Sequence, residues 1–249
     1  MVRQRHASFD SSEMDRALGL FASAIEESAI LMALAPIRFA SLGGAVSVKV
    51  FQNRADTEDI DVICDPSIDA VQLYSDEIRR AVSAVAARGR YQEDWLNSAC
   101  RLFIAERKRS GLFFKSVQQG VLVYQSPSLV VYAASFDYAL ESKLRRMNSR
   151  LEYRDRSIDA SDAVALVHAM KDTHPLRKEY VRSLDLNECG IPVESCVIDL
   201  IAKEYLVKHQ QQGIVSMAWD EESKCYTYTN LKGELVSIPK MNRYIIFYE

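Results

Sequence analysis

The amino-acid sequence predicts an α+β protein in which an α/β half, residues 1–133, is followed by a helical extension, 134–249, with a small β tail. Three observations predict it. In the first half, apolar runs of strand length at 37–42 and 59–64, bounded by glycine and proline, alternate with helical stripes. From Phe136 onward the apolar period becomes helical and stays so. Near the end, residues 225–238 read as a hairpin turning at 230–233, with Tyr226 and Tyr228 on one face.

Taken in order, the first helix starts at a cap formed by Asp10, Ser11 or Ser12, with Glu13 three residues after Asp10. Leu18, Phe21, Ala22, Ile25 and Ala29 recur at helical spacing, and Pro36 bounds the helix. Residues 37–42 form a buried strand that runs into Gly43-Gly44. A short helix over 45–51, a polar loop and a strand over 59–64 follow, and Pro66 stops that strand. Val71, Tyr74, Ile78, Val82 and Val85 share one stripe of a helix over 68–87. Strands are expected at 99–105, 112–116, 121–124 and 129–132, punctuated by Gly111, Gly120 and Pro127. In the second half Phe136, Leu140, Leu144, Met147 and Leu151 form one stripe, and Ala160, Ala163, Val164 and Val167 the next. Pro175 and Pro192 mark helix starts, and the aromatic-rich 244–248 reads as a packed strand.

Composition narrows the function classes. With 249 residues, 48% of them apolar, the chain has ample material for a core. Its 31 Lys+Arg against 34 Asp+Glu give a net charge of −3, which argues against attachment to nucleic acid by bulk charge and leaves room for a local basic patch. No run spans a bilayer, and the polar N-terminus lacks the apolar segment of a secretory signal, so a soluble, cytoplasmic protein without a membrane partner is expected. The cysteines, Cys64, Cys100, Cys189, Cys196 and Cys225, are odd in number and form no CxxC pair; they read as reduced thiols rather than a zinc site or a disulfide framework. His6, His168, His174 and His209 form no ligand or triad spacing, and no GxSxG, HExxH or long P-loop occurs.

The most informative stretch is Ser41-Leu42-Gly43-Gly44, then Arg54 and Thr57, then Asp59-Ile60-Asp61-Val62. A buried strand ending in Gly-Gly before a helix leaves backbone N–H groups free, where glycine lets an anion approach closely and the helix dipole favours it. Residues i and i+2 of a strand face the same side, so Asp59 and Asp61 aim two carboxylates together while Ile60 and Val62 point into a core. Two like charges at that spacing call for a cation, and hard oxygen ligands of this kind suit Mg²⁺ bridging to substrate phosphates.

The segment LGGAVSVKVFQNRADTEDIDVI resembles the strand–GG–helix–loop–DxD signature of the DNA polymerase β-type nucleotidyltransferase superfamily, in its minimal and AbiEii-like branch with uncharacterised fungal relatives of similar layout. The segment DYALESKLRRMNSRLEYRDRSIDASDAVALV resembles the helical region that follows the catalytic sheet in AbiEii-like proteins, the matching positions being Lys143, Arg150, Asp159 and Asp162. The two stretches anchor roughly residues 37–171. The resemblance implies a nucleotidyltransferase-type mixed sheet in which Gly43 and Gly44 hold triphosphate, Asp59 and Asp61 ligate Mg²⁺, and Arg54 and Thr57 line the phosphate mouth. The implied reaction is in-line attack of a hydroxyl, on an RNA end or a protein, at the α-phosphate of an NTP, with pyrophosphate leaving. Such proteins usually supply a third carboxylate from a later strand. Here Asp94 precedes the apolar run, Asn97-Ser98 stands where relatives often carry Asn-Asp, and Glu106 lies at the far end; Asp94 is the provisional third acid.

Other features keep alternatives open. Lys143 reads either as a group reaching inward to phosphate or as a lysine snorkelling from the rim of its stripe. Asp159 and Asp162 read as a helix cap or as carboxylates that hold Lys143 or Arg150. Arg145, Arg146, Arg150, Arg154 and Arg156, with Lys143, make the densest basic stretch, and Glu106-Arg107-Lys108-Arg109 a second. These read as solvated helix faces or as an RNA-backbone surface on which Arg145, Arg146, Arg150 and Arg154 contact phosphates. In size and layout the chain is also similar to fungal enzymes that make arginine-containing cyclodipeptides from aminoacyl-tRNA, a chemistry that would need tRNA and no metal. A third reading is an inactive NTP-binding interaction module. The expected partners are therefore an NTP and, for the first two readings, tRNA or other RNA; DNA is not expected.

Overall fold

A computed structural model of the chain describes residues 8–148 and 156–239. The fold is α+β, and the chain divides into two compact units, Met1–Ser135 and Phe136–Glu249. No described helix is long and apolar enough to cross a membrane.

The first unit is built on a five-stranded mixed sheet of β1 (Ile37–Leu42), β2 (Ile60–Cys64), β3 (Leu96–Asn97), β4 (Leu122–Gln125) and β5 (Leu129–Ala133), in the order β3-β2-β1-β5-β4. The central strand β1 runs parallel to β5 and antiparallel to β2; β3 is parallel to β2, and β4 closes the other edge antiparallel to β5. Ile37, Phe39, Ala40 and Ser41 are buried, on both faces of the strand, while Arg38 between them is half-exposed.

Helices supply both covers. The carboxylate of Asp10 accepts the Glu13 N–H at 2.8 Å and caps α1 (Ser11–Glu27), which buries Met14, Leu18, Phe21 and Ile25. Phe21 meets Phe39 with ring centroids 6.1 Å apart, placing α1 on the Phe39 face of the sheet. Trp95, fully buried, packs against Phe9, Phe21 and Tyr91, and its indole N–H donates to the Val82 carbonyl of α5 (Gln72–Gly89) at 3.1 Å. The carbonyl of Trp95 in turn accepts from Ile60 N–H, which starts the β2–β3 pairing. On the opposite face Phe113 of α6 (Glu106–Gln119) sits under the guanidinium of Arg38.

Several elements depart from the sequence reading. The helix expected to reach Pro36 breaks at Ser28, whose extended backbone (ψ 116°) lets its hydroxyl cap α2 (Ala29–Met32) and donate to Glu77. The helix expected at 45–51 is one α turn, α3 (Gly44–Val46), followed by a π-helical turn, Ser47–Phe51. Pro66 does not merely stop β2: it opens α4 (Pro66–Asp69), capped by Asp65. The strand expected at 99–105 is a 3-10 turn, Ala99–Phe103, with Leu102 and Phe103 exposed; Asn97 accepts the Ala99 N–H, and Arg109 donates to the Arg101 and Ile104 carbonyls. The strand expected at 112–116 lies inside α6. Leu112, Phe113 and Ser116 are its buried side, a helical spacing, while Phe114 faces out.

The second unit is mainly helical, with α7 (Phe136–Asn148), α8 (Arg156–Met170), α9 (Lys178–Ser183) and α10 (Ser195–His209). Its strands are short: β6 (Leu176–Arg177) pairs with β7 (Ile214–Val215), and β8 (Ala218–Asp220), β9 (Cys225–Thr229) and β10 (Leu235–Pro239) form an antiparallel sheet. The β9–β10 hairpin turns at 230–233, as the sequence predicts. Pro175 and Pro192 precede β6 and α10 by one and three residues, so only the second marks an approach to a helix. The strand expected at 244–248, with Arg150 and Arg154, lies outside the described residues.

Candidate functional site

The register between β1 and β2 builds the site. Leu42 pairs with Asp61 and Ser41 with Val62, so the end of β1, where the chain turns, lies beside the Asp61 carboxylate. Gly43 makes that turn at φ +66°, ψ −132°, a conformation side chains rarely tolerate, and a Cβ there would sit 3.9 Å from Asp61 Oδ2. Gly44 has no room at all. A Cβ on it would overlap Thr57 Oγ1 and Cβ and lie 3.5 Å from an Arg54 guanidinium nitrogen. Thr57 is itself fixed, because its N–H donates to the Phe9 carbonyl at 3.0 Å and its carbonyl accepts the Phe9 N–H at 2.6 Å. Gly43, Gly44, Arg54, Thr57 and Asp61, read from scattered positions in the sequence, therefore share one corner of the first unit.

Asp59 joins this corner through a residue that the sequence reading did not assign to the site. Asp61 pairs with Asn97 across β2–β3, and the Asn97 amide donates to Asp59 Oδ2 at 2.8 Å. The same amide donates to the Asp94 carbonyl, and its oxygen accepts from Ala99, so every side-chain polar group of Asn97 is used. Burial pushes the Asp59 carboxyl above its usual range. The Asn97 hydrogen bond opposes that shift, and the nearby charges of Asp94 and Glu58 add to it. Asp94, the provisional third acid, is exposed and touches Asn97 with its backbone; the side chain against Asp59 is the neutral amide of Asn97. A two-residue strand such as β3 leaves no periodicity to find, and the Asn97-to-Asp59 contact depends on its register.

The helix-dipole expectation needs correction. Only one α turn follows Gly43 before the π-helical turn, so few peptide dipoles align there. Close approach to an anion rests on the missing side chains of the two glycines instead.

The second unit holds the other predicted residues, in a different electrostatic state. Lys143 is buried, and its ammonium donates to Asp162 at 2.5 Å and Asp159 at 3.1 Å. Arg146 also pairs with Asp159. Burial pulls the Lys143 pKa below the ordinary lysine value, against the opposing pull of Asp162 and Asp159. Lys143 is thus buried in an ion cluster with Asp159 and Asp162 rather than snorkelling from the rim of its stripe. Arg145 turns inward too. It donates to Glu141 at 2.6 Å, to the Leu184 carbonyl at 3.0 Å and to Asp185 at 3.2 Å. Both arginines, expected on a basic RNA-contacting face, are half-buried and paired with carboxylates. Glu141, Asp185 and Cys189 bring a possible metal-ligand set together. Glu141 already accepts from Arg145 and the Leu186 N–H, and Asp185 from Arg145, Cys189 N–H and Gly190 N–H.

Comparison of the chain with protein-family models, with curated proteins and with solved structures finds no match to any of them.

Proposed function

We propose that the first unit binds a nucleoside triphosphate together with Mg²⁺ and transfers its nucleotidyl group to a hydroxyl acceptor. The observation that carries this reading is the Leu42-to-Asp61 register, which sets a side-chain-free turn directly beside the Asp61 carboxylate, two residues after Asp59. The donor set suits Mg²⁺: two half-buried carboxylates, one of them disfavoured as an anion by its own burial, with a glycine turn where phosphate oxygens can approach. Bound there, Mg²⁺ would neutralise charge on the phosphate oxygens. The chain's own groups do the rest. Gly43 and Gly44 admit the triphosphate to the backbone, Arg54 and Thr57 beside Gly44 offer donors to it, and Asn97 fixes the orientation of Asp59.

One observation favours a second reading. The residue facing Asp59 from β3 is an amide rather than an acid, which suits a module that binds NTP without transferring it. The aminoacyl-tRNA reading gains nothing from Arg145 and Arg146, since both are engaged with carboxylates.

Calorimetric titration with each of the four common NTPs, with and without Mg²⁺, tests the site. Metal-dependent binding that falls about tenfold or more in Asp59→Asn and Asp61→Asn supports it, and equal affinity in wild type and the double variant refutes it. Pyrophosphate release in the presence of total RNA or protein acceptors then separates transferase from binding module.

A further inference from the structure

Within the second unit, the C-terminal ends of α8 and α10 meet in a cluster of three rings. His209, the last residue of α10, stacks on His168 of α8 with ring centroids 4.5 Å apart and planes 8° from parallel. It also stacks on Tyr205, one turn back in its own helix, at 4.5 Å and 29°. The His168 Nδ1 and the Tyr205 hydroxyl share a hydrogen bond of 3.0 Å. Tyr205 is fully buried, and the Gly213 backbone closes over its ring: a Cβ on Gly213 would lie 2.4 Å from it. The Gly213 carbonyl accepts the Leu176 N–H at 2.8 Å, which ties the cluster to the β6–β7 pair.

The two imidazoles differ in what a proton costs them. His168 faces solvent, whereas His209 is half-buried and its Nε2 is enclosed, with no hydrogen-bond partner among the described residues. A neutral ring with its proton on Nδ1 leaves only an unfilled lone pair there; an imidazolium would put a charged N–H there with nothing to accept it. The charges that bear on His209 are His168 and Lys171 from the end of α8 and Lys208 from its own helix, and none is a carboxylate. The turn that follows, residues 210–213, carries three glutamines and a glycine. Tyr205 stays a phenol, because burial pushes its pKa up, and its ring face attracts a cation without offering Nε2–H an acceptor. Both histidines sit in the last turn of a helix, where the dipole favours added positive charge, and the exposed His168 takes the first proton at the smaller cost. A second imidazolium stacked on the first is then disfavoured by about 0.7 pKa unit even at the dielectric of water. Burial and the neighbouring cations together hold the His209 imidazole below its ordinary value of 6.5.

We infer that the His168–His209–Tyr205 cluster is a proton-operated latch: with at most one proton it holds the ends of α8 and α10 and the Gly213 turn together, and a second proton, on His209, releases them. The closed cluster binds that proton less readily than separated histidines do. The contact is therefore fully present above pH 6.5 and is lost as pH falls from there through the lowered His209 midpoint.

Two measurements on the full chain test it. Followed by NMR, the carbon-bound ring protons of the two histidines should titrate in separate steps, His209 last and about half a unit or more below the ordinary value. Protection of the Leu176 amide from hydrogen exchange, corrected for the intrinsic pH dependence, should fall about fivefold between pH 7 and pH 5. His209→Phe keeps a stacked ring that cannot titrate and should abolish that fall. His168→Gln removes the neighbouring charge and should raise the His209 midpoint by about half a unit. Two histidines that titrate independently at the ordinary value, equal Leu176 protection at the two pH values in wild type, or a fall that persists in His209→Phe would overturn the inference. The wild-type titration needs no variant, so it decides the matter even where a substitution unfolds the second unit.

Discussion

Asp59 of the first unit and the acidic clusters of α7 and α8 in the second meet opposite partners, although other acids of the first unit, such as the buried Asp65 beside Arg38, are ion-paired too. In the second unit, buried carboxylates meet cations: Asp159 and Asp162 share Lys143, Arg146 adds to Asp159, and Glu141 and Asp185 share Arg145. In the first unit, Asp59 is held by a neutral amide and lies among like charges. The contrast separates acids whose charge the chain itself compensates from one whose charge it does not. A carboxylate whose partner is already in the chain contributes to the fold, whereas one raised in pKa by burial and by neighbouring acids gains most from an added cation.

The contrast makes predictions that differ in size. The largest is Lys143→Met, which leaves Asp162 buried without its ammonium and should destabilise the second unit by about 3–5 kcal/mol in denaturant titration. A loss below 1 kcal/mol, by the scale of exposed pairs, would show that this cluster is as open as the acidic corner of the first unit. Arg145→Ala removes donors to Glu141, Asp185 and a carbonyl, and should cost about 1–3 kcal/mol while leaving any RNA affinity unchanged. Reduced RNA binding with unaltered stability would restore Arg145 to a nucleic-acid surface.

Gly44→Ala drives a methyl into Thr57 and should cost about 1–3 kcal/mol, with loss of NTP binding. The smallest effect is on Asp59. Its raised pKa means that the folded state loses stability as pH rises from the ordinary carboxylate value of 3.8 through the raised one. Asp59→Asn should therefore melt above wild type at pH 7, with the gap closing toward pH 4. A variant that melts below wild type at pH 7 would place Asp59 among the structural acids.

Much of this arrangement is legible in the sequence, for physical reasons that vary by element. The Asp10 cap, β1 and the β4–β5 pair follow from local signals: a capping side chain, a buried apolar run ending in Gly-Gly, and strands broken by Gly120 and Pro127. The corner formed by Gly43, Gly44, Thr57 and Asp61 is legible because its residues flank one strand-turn-strand unit. Exposed apolar side chains misdirect elsewhere. Leu102, Phe103 and Phe114 imitate strands at 99–105 and 112–116, where the chain forms a 3-10 turn and α6. The Asn97-to-Asp59 contact depends on strand register between segments 38 residues apart, and the Lys143 cluster on the packing of α7 against α8. Neither the register nor the packing is encoded in a local period.

The central claim is that a metal-nucleotide complex belongs to the acidic corner of the first unit and not to the compensated carboxylates of the second. Replacing Mg²⁺ by Mn²⁺ with a non-hydrolysable NTP analogue and recording paramagnetic broadening of backbone amides tests it directly. Broadening centred on Gly43, Gly44, Asp59 and Asp61, and absent from the Asp59→Asn/Asp61→Asn double variant, is the predicted result. Broadening centred instead on Glu141, Asp185 and Cys189, or unchanged in the double variant, would contradict it.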